Sequence, residues 1–355
     1  MRVVMTMVVR DEADVLEANL AHHFALGVDL ALVTDHASVD STPGILAHHA
    51  REGRVRVFRE EAATLDQAPW VTRMARIAAV EHDADWLLHS DADEFWFPLA
   101  GSLASVLEMI PSRFGSLAVP RRNFIPRPGD GSFAERMLIR ERESQNRAGD
   151  PLEPKVAHRA DPEVEVEHGN HAAVGPALGP ALMLPLLEIL HFPIRSYAQF
   201  ERKVIRAGLG YEALESRPPD VGRDQLELLE IHRRGGLHEL YTQSTLSEGE
   251  IELGLEQGRL SADRRLQLSL SETPGSDGVA QPADLEVALI ETIRHSLAEL
   301  ERAAVTADAL RRQLHETREE LEDTRESLAA LRGSRLLRMT RPARTLYYRL
   351  RGGAS

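Results

Sequence analysis

Two hydrophobic periods alternate along the first third of the chain. Residues 3–9 form a short apolar run closed by Arg10, Asp11 and Glu12, which reads as a strand. Over residues 14–26 the spacing turns helical: Val15, Leu16, Asn19, Leu20, His23 and Phe24 share one face, and Gly27 stands where a helix ends easily. A second strand covers 28–34. Ser41 or Thr42 caps the next helix, with Pro43 in its first turn. Residues 54–58 alternate as a third strand, 68–83 are helical, and Trp86 to His89 make a fourth strand. Strands separated by helices of this length imply right-handed crossovers, and so an α/β fold with a mainly parallel sheet and helices on both faces.

The middle of the chain, about 115–270, is less regular. Arg121 to Gly131 is rich in Arg, Pro and Gly and reads as a loop. Residues 186–192 are an apolar strand stopped by Pro193, and 196–208 resume helical spacing through Tyr197, Phe200 and Val204. Residues 271–283 read as a linker. From 284 to 332 the chain has no internal Gly or Pro. Leu300, Ala307, Leu314, Leu321 and Leu328 recur every seven residues, and Ala303, Leu310, Thr317, Thr324 and Leu331 form a second series offset by three. Such a pattern predicts a coiled coil, which would bring copies together, or one amphipathic helix docked on its own domain. The expected domains are therefore 1–270 (halves 1–114 and 115–270), the linker, the helical segment 284–332 and a tail, 333–355.

Charge sharpens this division. The formal net charge is −14, which argues against nucleic acid as the partner. From Arg332 onward there are seven arginines and no acid, so the rest carries −21 (−14 minus +7). Arginines recur every third residue from Arg332 to Arg344 among Leu336, Leu337, Met339, Tyr347 and Tyr348, a composition suited to an anionic membrane surface; a disordered solubilising tail is the other reading. The chain has no cysteine, so no disulfide framework or thiol nucleophile is available, which fits a reducing, cytoplasmic setting. The apolar start is too short to cross a membrane.

The candidate chemistry is concentrated where the fourth strand ends, at Ser90-Asp91-Ala92-Asp93-Glu94-Phe95-Trp96. Two carboxylates two residues apart, at the carboxyl end of a strand in such a sheet, suit a Mg²⁺ or Mn²⁺ ion and the phosphates of a substrate. A solvated acidic turn is the bland alternative. The chain contains only two lysines, Lys155 and Lys203. Either these two places need the compact charge of an ammonium or they reflect surface drift.

Several motifs together resemble family 2 glycosyltransferases: Val9-Arg10-Asp11-Glu12, Thr34-Asp35-His36-Ala37-Ser38-Val39-Asp40, and the Asp-Ala-Asp-Glu-Phe-Trp segment, in that order. The likeness continues through Lys155 to Arg159, Glu167 to His171 and Ile189 to Ser196, covering about residues 1–210. It implies a GT-A fold, Rossmann-like, and transfer of a sugar from a UDP- or GDP-linked donor to a glycan or lipid-linked acceptor, with inversion. By this resemblance Asp91 and Asp93 bind metal and diphosphate, His191 adds a metal ligand, and Asp35 approaches the nucleotide base. Donor contacts are expected from Thr6, Arg10, Glu12, Arg73 and Lys155 as well. Asp93, Glu94, Glu167 and His171 are the catalytic candidates, and the base is sought in 161–171, where Asp161 and Glu165 also lie. Asp11 replaces the family's asparagine, a change expected at an exposed loop, and the turn after Asp35 lacks its usual glycine.

Each assignment has a structural counterpart. Asp35 could cap a loop, His191 could be a hydrogen-bonded strand histidine, His168 and His171 could be plain loop residues, and Trp70 and Trp96 read as packing. The rival functions are a non-catalytic, membrane-associated interaction protein and a metal-dependent nucleotidyltransferase. No glycine-rich phosphate loop supports the latter.

Overall fold

The computed structural model describes residues 1–333 apart from 62, 63, 65, 180, 185, 215–220 and 272–282. Strand β1 (Val3–Val9) leads through α1 (Leu16–Leu26), β2 (Leu30–His36), α2 (Thr42–Arg51), β3 (Val55–Glu60) and α3 (Gln67–Glu81) to β4 (Trp86–Ser90). This is the alternation the hydrophobic pattern predicts. Gly27 closes α1 at φ 104°, a left-handed conformation that glycine takes without strain. Next come β5 (Glu94–Pro98), α4 (Leu103–Met109), β6 (Ser116–Val119), β7 (Arg121–Asn123), α5 (Phe133–Arg136) and β8 (Ile139–Glu141). Then follow β9 (Lys155–Arg159), β10 (Glu165–Val166), β11 (Ala173–Val174), β12 (Ala181–Leu182) and β13 (Leu187–His191). Helices dominate the remainder: α6 (Tyr197–Glu212), α7 (Arg223–Arg233), α8 (Leu237–Ser244) and α9 (Glu248–Glu256), then β14 (Leu260–Ala262), α10 (Arg265–Ser271) and α11 (Ala283–Gly333).

The main sheet has seven strands in the order β12-β6-β9-β4-β1-β2-β3. Strand β9 runs against both its neighbours, while every other adjacent pair is parallel. Both faces of its centre are buried. Val4, Leu30, Leu32 and Leu87 pack with Val71, Met74, Ala75 and Ala78 of α3. The alternate residues Val3, Met5, Met7, Ala31 and Val33 point the other way, and none is more than 2% exposed. This double coverage explains why β1 and β2 read as nearly continuous apolar runs.

A smaller sheet, β5-β13-β7, stands beside the carboxyl end of β4. Strand β13 pairs antiparallel with β5 and parallel with β7, so His191 lies opposite Glu94 on one side and Asn123 on the other. Residues Arg121–Asn123 are thus strand, not the start of the expected loop. Their polarity hid this, because Arg121 and Arg122 are matched by the buried acids Glu94 and Glu188, each at 3.5 Å.

The chain forms two units, Met1–Ile293 and Arg294–Ser355. The expected long helix is α11, and Leu310, Leu314, Leu321, Leu328 and Leu331 of its heptad series are 48–60% exposed. Among the described residues no helix is long and apolar enough to cross a membrane. The proposed linker beyond Ser271 and the basic tail beyond Gly333 lie outside the described residues.

Candidate functional site

Strand β4 ends at Ser90, and the turn to β5 carries Asp91, Ala92 and Asp93. Hydrogen bonds fix the turn from several sides. The Asp91 N–H donates to Glu94 Oε2 at 3.0 Å, and the Phe192 N–H donates to the Asp93 carbonyl at 2.9 Å. Asn19, the polar residue on the apolar face of α1, donates through Nδ2 to the carbonyls of Ala92 (3.0 Å) and Glu94 (2.8 Å). The buried carbonyls of the turn are thus satisfied, so the two aspartates stand on a rigid base.

They open into a cleft of about 200 Å³ at the carboxyl ends of the parallel strands, where ligands of α/β sheets bind. Val8 to Glu12 line it from the end of β1, His36 from β2, and Gln67 from α3. The opposite wall is α6. Its N-cap Ser196 accepts from the Gln199 N–H at 3.2 Å, and Gln199, Arg202, Lys203, Arg206, Ala207 and Tyr211 follow at helical spacing along the cleft. Phe200 and Val204 face away, into a cluster with Leu237 and Tyr241.

Ion pairs dominate the site. Lys155 Nζ lies 2.7 Å from Asp91 Oδ2 and 3.5 Å from Glu94 Oε1. Lys203 pairs with Asp93. Arg195 is 2% exposed and anchored by Glu12 (2.5 Å) and Asp14 (2.7 Å), with Asp93 at 3.7 Å. Burial works against the charged form of Asp93, but the cations Lys203 and Arg195 outweigh it and hold its carboxyl well below the usual range. Glu94 goes the other way: burial, reinforced by Asp91 and Asp93, pushes it up to about 7 against the pull of Lys155 and Arg121. Burial likewise raises Glu12 against the attraction of Arg195.

The structure brings together Arg10, Glu12, Asp91 and Asp93 in the cleft wall, with Lys155 bound to Asp91 from below. Asp11 is buried, 7% exposed, where an exposed loop was expected. Asp35 is 4% exposed, and its Oδ1 accepts from the Ser38 N–H at 3.1 Å. Thr6 lies inside the sheet, its Oγ1 2.6 Å from His89 Nδ1. Arg73 pairs with Glu60 at 2.8 Å. Neither Thr6, Asp35 nor Arg73 lines the cleft.

The stretch 161–171 also lies off it. Asp161 accepts from the N–H groups of Ala177 and Glu163, both at 2.8 Å, Glu165 stands 3.7 Å from Arg76, and Glu167 is exposed. His171 donates from Nδ1 to the Pro154 carbonyl at 2.8 Å, and burial and the nearby Lys155 lower its pKa. Trp96 is fully buried and Trp70 packs 4.9 Å from His36, as the packing reading expects. Sequence reasoning assigned no role to Arg195, Arg206, Gln67 or Tyr211. The signal for Lys203 was its rarity.

The metal expectation can be set against the donor groups present. His191 Nδ1 donates to Asn123 Oδ1 at 2.8 Å, which leaves the Nε2 lone pair facing Asp93 Oδ1 at 3.7 Å. The ring is neutral, since burial lowers its pKa to about 3. An imidazole nitrogen and a carboxylate oxygen turned toward each other suit a cation such as Mn²⁺ between them. Asp91 is instead turned toward Lys155. Among the described residues no three His, Asp or Glu side chains are already gathered as a metal-holding group.

No protein-family model matches the chain, and no curated protein sequence does. Among solved structures, the mannosyltransferase PcManGT from Pyrobaculum calidifontis, in complex with GDP-Man and Mn²⁺, is similar at 14% identity and a TM-score of 0.35, over 72% of this chain and 79% of that one. TarS 1–349 of S. aureus is similar at 11% identity and a TM-score of 0.34, over 79% of this chain and 99% of that one. A 4-diphosphocytidyl-2C-methyl-D-erythritol synthase is similar at 17% identity and a TM-score of 0.27, over 45% and 75%.

Proposed function

We propose that the protein is a metal-dependent glycosyltransferase that moves a sugar from a nucleoside diphosphate to an acceptor, with inversion at the anomeric carbon. The observation that carries this reading is the aspartate pair at the end of β4, opening into a cleft whose far wall is cationic. The lining acids Asp11, Glu12, Asp91 and Asp93 formally balance the lining cations Arg10, Arg202, Lys203 and Arg206. A divalent cation taken up by this wall leaves it at about +2, the charge that a sugar diphosphate of about −2 complements. Asp93 and His191 would hold that cation, with Asp91 joining on leaving Lys155, and the cation supplies charge to the departing diphosphate. Arg195 fixes the position of Asp93, Lys155 keeps Asp91 ionised, and Arg10 lines the donor side.

A thermal-shift panel of UDP- and GDP-sugars, with and without Mn²⁺, tests the reading. We expect stabilisation by one donor class, larger with Mn²⁺. Asp93→Asn, which keeps the shape and removes the charge, should lower nucleoside diphosphate release at least about 100-fold, the scale of losing a charge-stabilising group. Full turnover in the presence of a chelator would sink the metal requirement.

A further inference from the structure

The chain has 42 basic residues, of which only Lys155 and Lys203 are lysines, and both reach the aspartate pair. Surface drift offers no reason for that coincidence. The two are not equivalent, however. Lys155 has a side chain only 2% exposed and is fixed between Asp91 and Glu94 inside the protein. Lys203 has a side chain 41% exposed and lies on the cleft wall. Arg202 and Arg206, one residue before it and three after, put two further cations on the same wall.

Asp93 does not depend on Lys203 alone. Arg195 stands 3.7 Å from the same carboxylate oxygen and is itself immobile, held by Glu12 and Asp14. If Lys203 swung away, Asp93 would keep a buried cationic neighbour, so the severe cost of an unpaired buried charge would not arise. A flexible four-carbon stem with a compact ammonium suits such a movement, whereas a planar guanidinium would be committed to one fork of contacts.

We propose that Lys203 is a diphosphate-binding residue, and that its ion pair with Asp93 is a resting contact given up when a nucleoside diphosphate enters the cleft. Arg206 flanks the same subsite from the next turn of α6. This rests on the reading of the cleft as a nucleotide-diphosphate site.

The test is isothermal titration of the full-length protein with UDP and GDP, and with uridine and guanosine as phosphate-free probes. Lys203→Met should weaken binding of the preferred diphosphate at least about 10-fold and leave the matching nucleoside unchanged, since one charge-assisted contact is lost. Lys203→Arg should recover only part of that loss. A second arm repeats Lys203→Met in an Asp93→Asn background, in metal-free buffer. There Lys203 has lost the carboxylate it pairs with, so continued weakening supports direct phosphate contact. Recovery of the parent affinity in that background would reduce Lys203 to a partner of Asp93 and overturn the proposal. So would unchanged diphosphate binding by Lys203→Met in a wild-type protein that binds UDP or GDP. If the wild type binds neither nucleotide, it is the donor reading that fails.

Discussion

Asp11 shows how much of the site rests on single backbone positions. Its φ is 53°, in the left-handed region, and its Oδ1 accepts from the N–H groups of Val39 (2.7 Å) and Asp40 (3.1 Å). One side chain thus ties the loop after β1 to the loop after β2, both at the rim of the cleft. Asparagine shares the tolerance for left-handed backbone and offers one carbonyl oxygen in the same place. Asp11→Asn keeps both acceptor bonds but gives up the ion pair with Arg206, so it should cost about 1–2 kcal/mol, whereas Asp11→Ala loses all three contacts and adds strain, about 2–4 kcal/mol in all. Urea denaturation of the two variants checks this, and equal midpoints would contradict it. The sequence showed an acid where related patterns carry asparagine. It did not show that the residue is buried, because burial here comes from a second loop 28 residues away.

At the scale of elements, α6 is the part of the site least visible in advance. Its helical spacing was plain, but which face meets the cleft is decided by α7 and α8 packing behind it. Gly208 governs one of those contacts. A Cβ there would stand 2.6 Å from Leu229 Cβ and 3.1 Å from the Gln225 carbonyl oxygen, both on α7. Alanine would favour an isolated helix by about 1 kcal/mol, but here it must push the two helices apart. Gly208→Ala should thus lower the melting temperature and also weaken UDP or GDP binding, since Lys203 and Arg206 ride on the same helix. Higher stability with intact binding would show that α7 yields freely. The aspartate turn was legible for the opposite reason: strand, turn and acids are contiguous, and burial on both faces of β4 leaves an unmistakable apolar run. The antiparallel β9 and the polar strand β7 were not, since their partners are distant in sequence and their charges are matched across strands.

For the molecule as a whole, buried histidines set the response to acid. His158 donates from Nδ1 to the Arg159 carbonyl at 2.7 Å, so its Nε2 must accept from His89 Nε2 at 2.8 Å. His89 Nδ1 then accepts from the Thr6 hydroxyl, and the chain is complete with both rings neutral. Burial lowers His22 and His158 to about 4, His191 to about 3, and His23 and His89 well below 6.5. Each binds fewer protons folded than unfolded between its folded value and 6.5, so stability falls as pH drops through that window. Glu94, raised to about 7, acts in the opposite sense between 4.5 and 7, and Glu12 and Glu141 share its direction. The five histidines outweigh them, so the urea midpoint should be lower at pH 5 than at pH 7. A higher midpoint at pH 5 would mean that the glutamates prevail. The scarcity of lysine has one more consequence. With Lys155 sealed inside, the exposed side-chain amine of the whole protein is Lys203. Reductive alkylation, acetylation or amine coupling to a sensor surface would therefore reach a lysine of this protein only in the cleft, beside the α-amino group of Met1, and a bound nucleotide should shield Lys203 from all three.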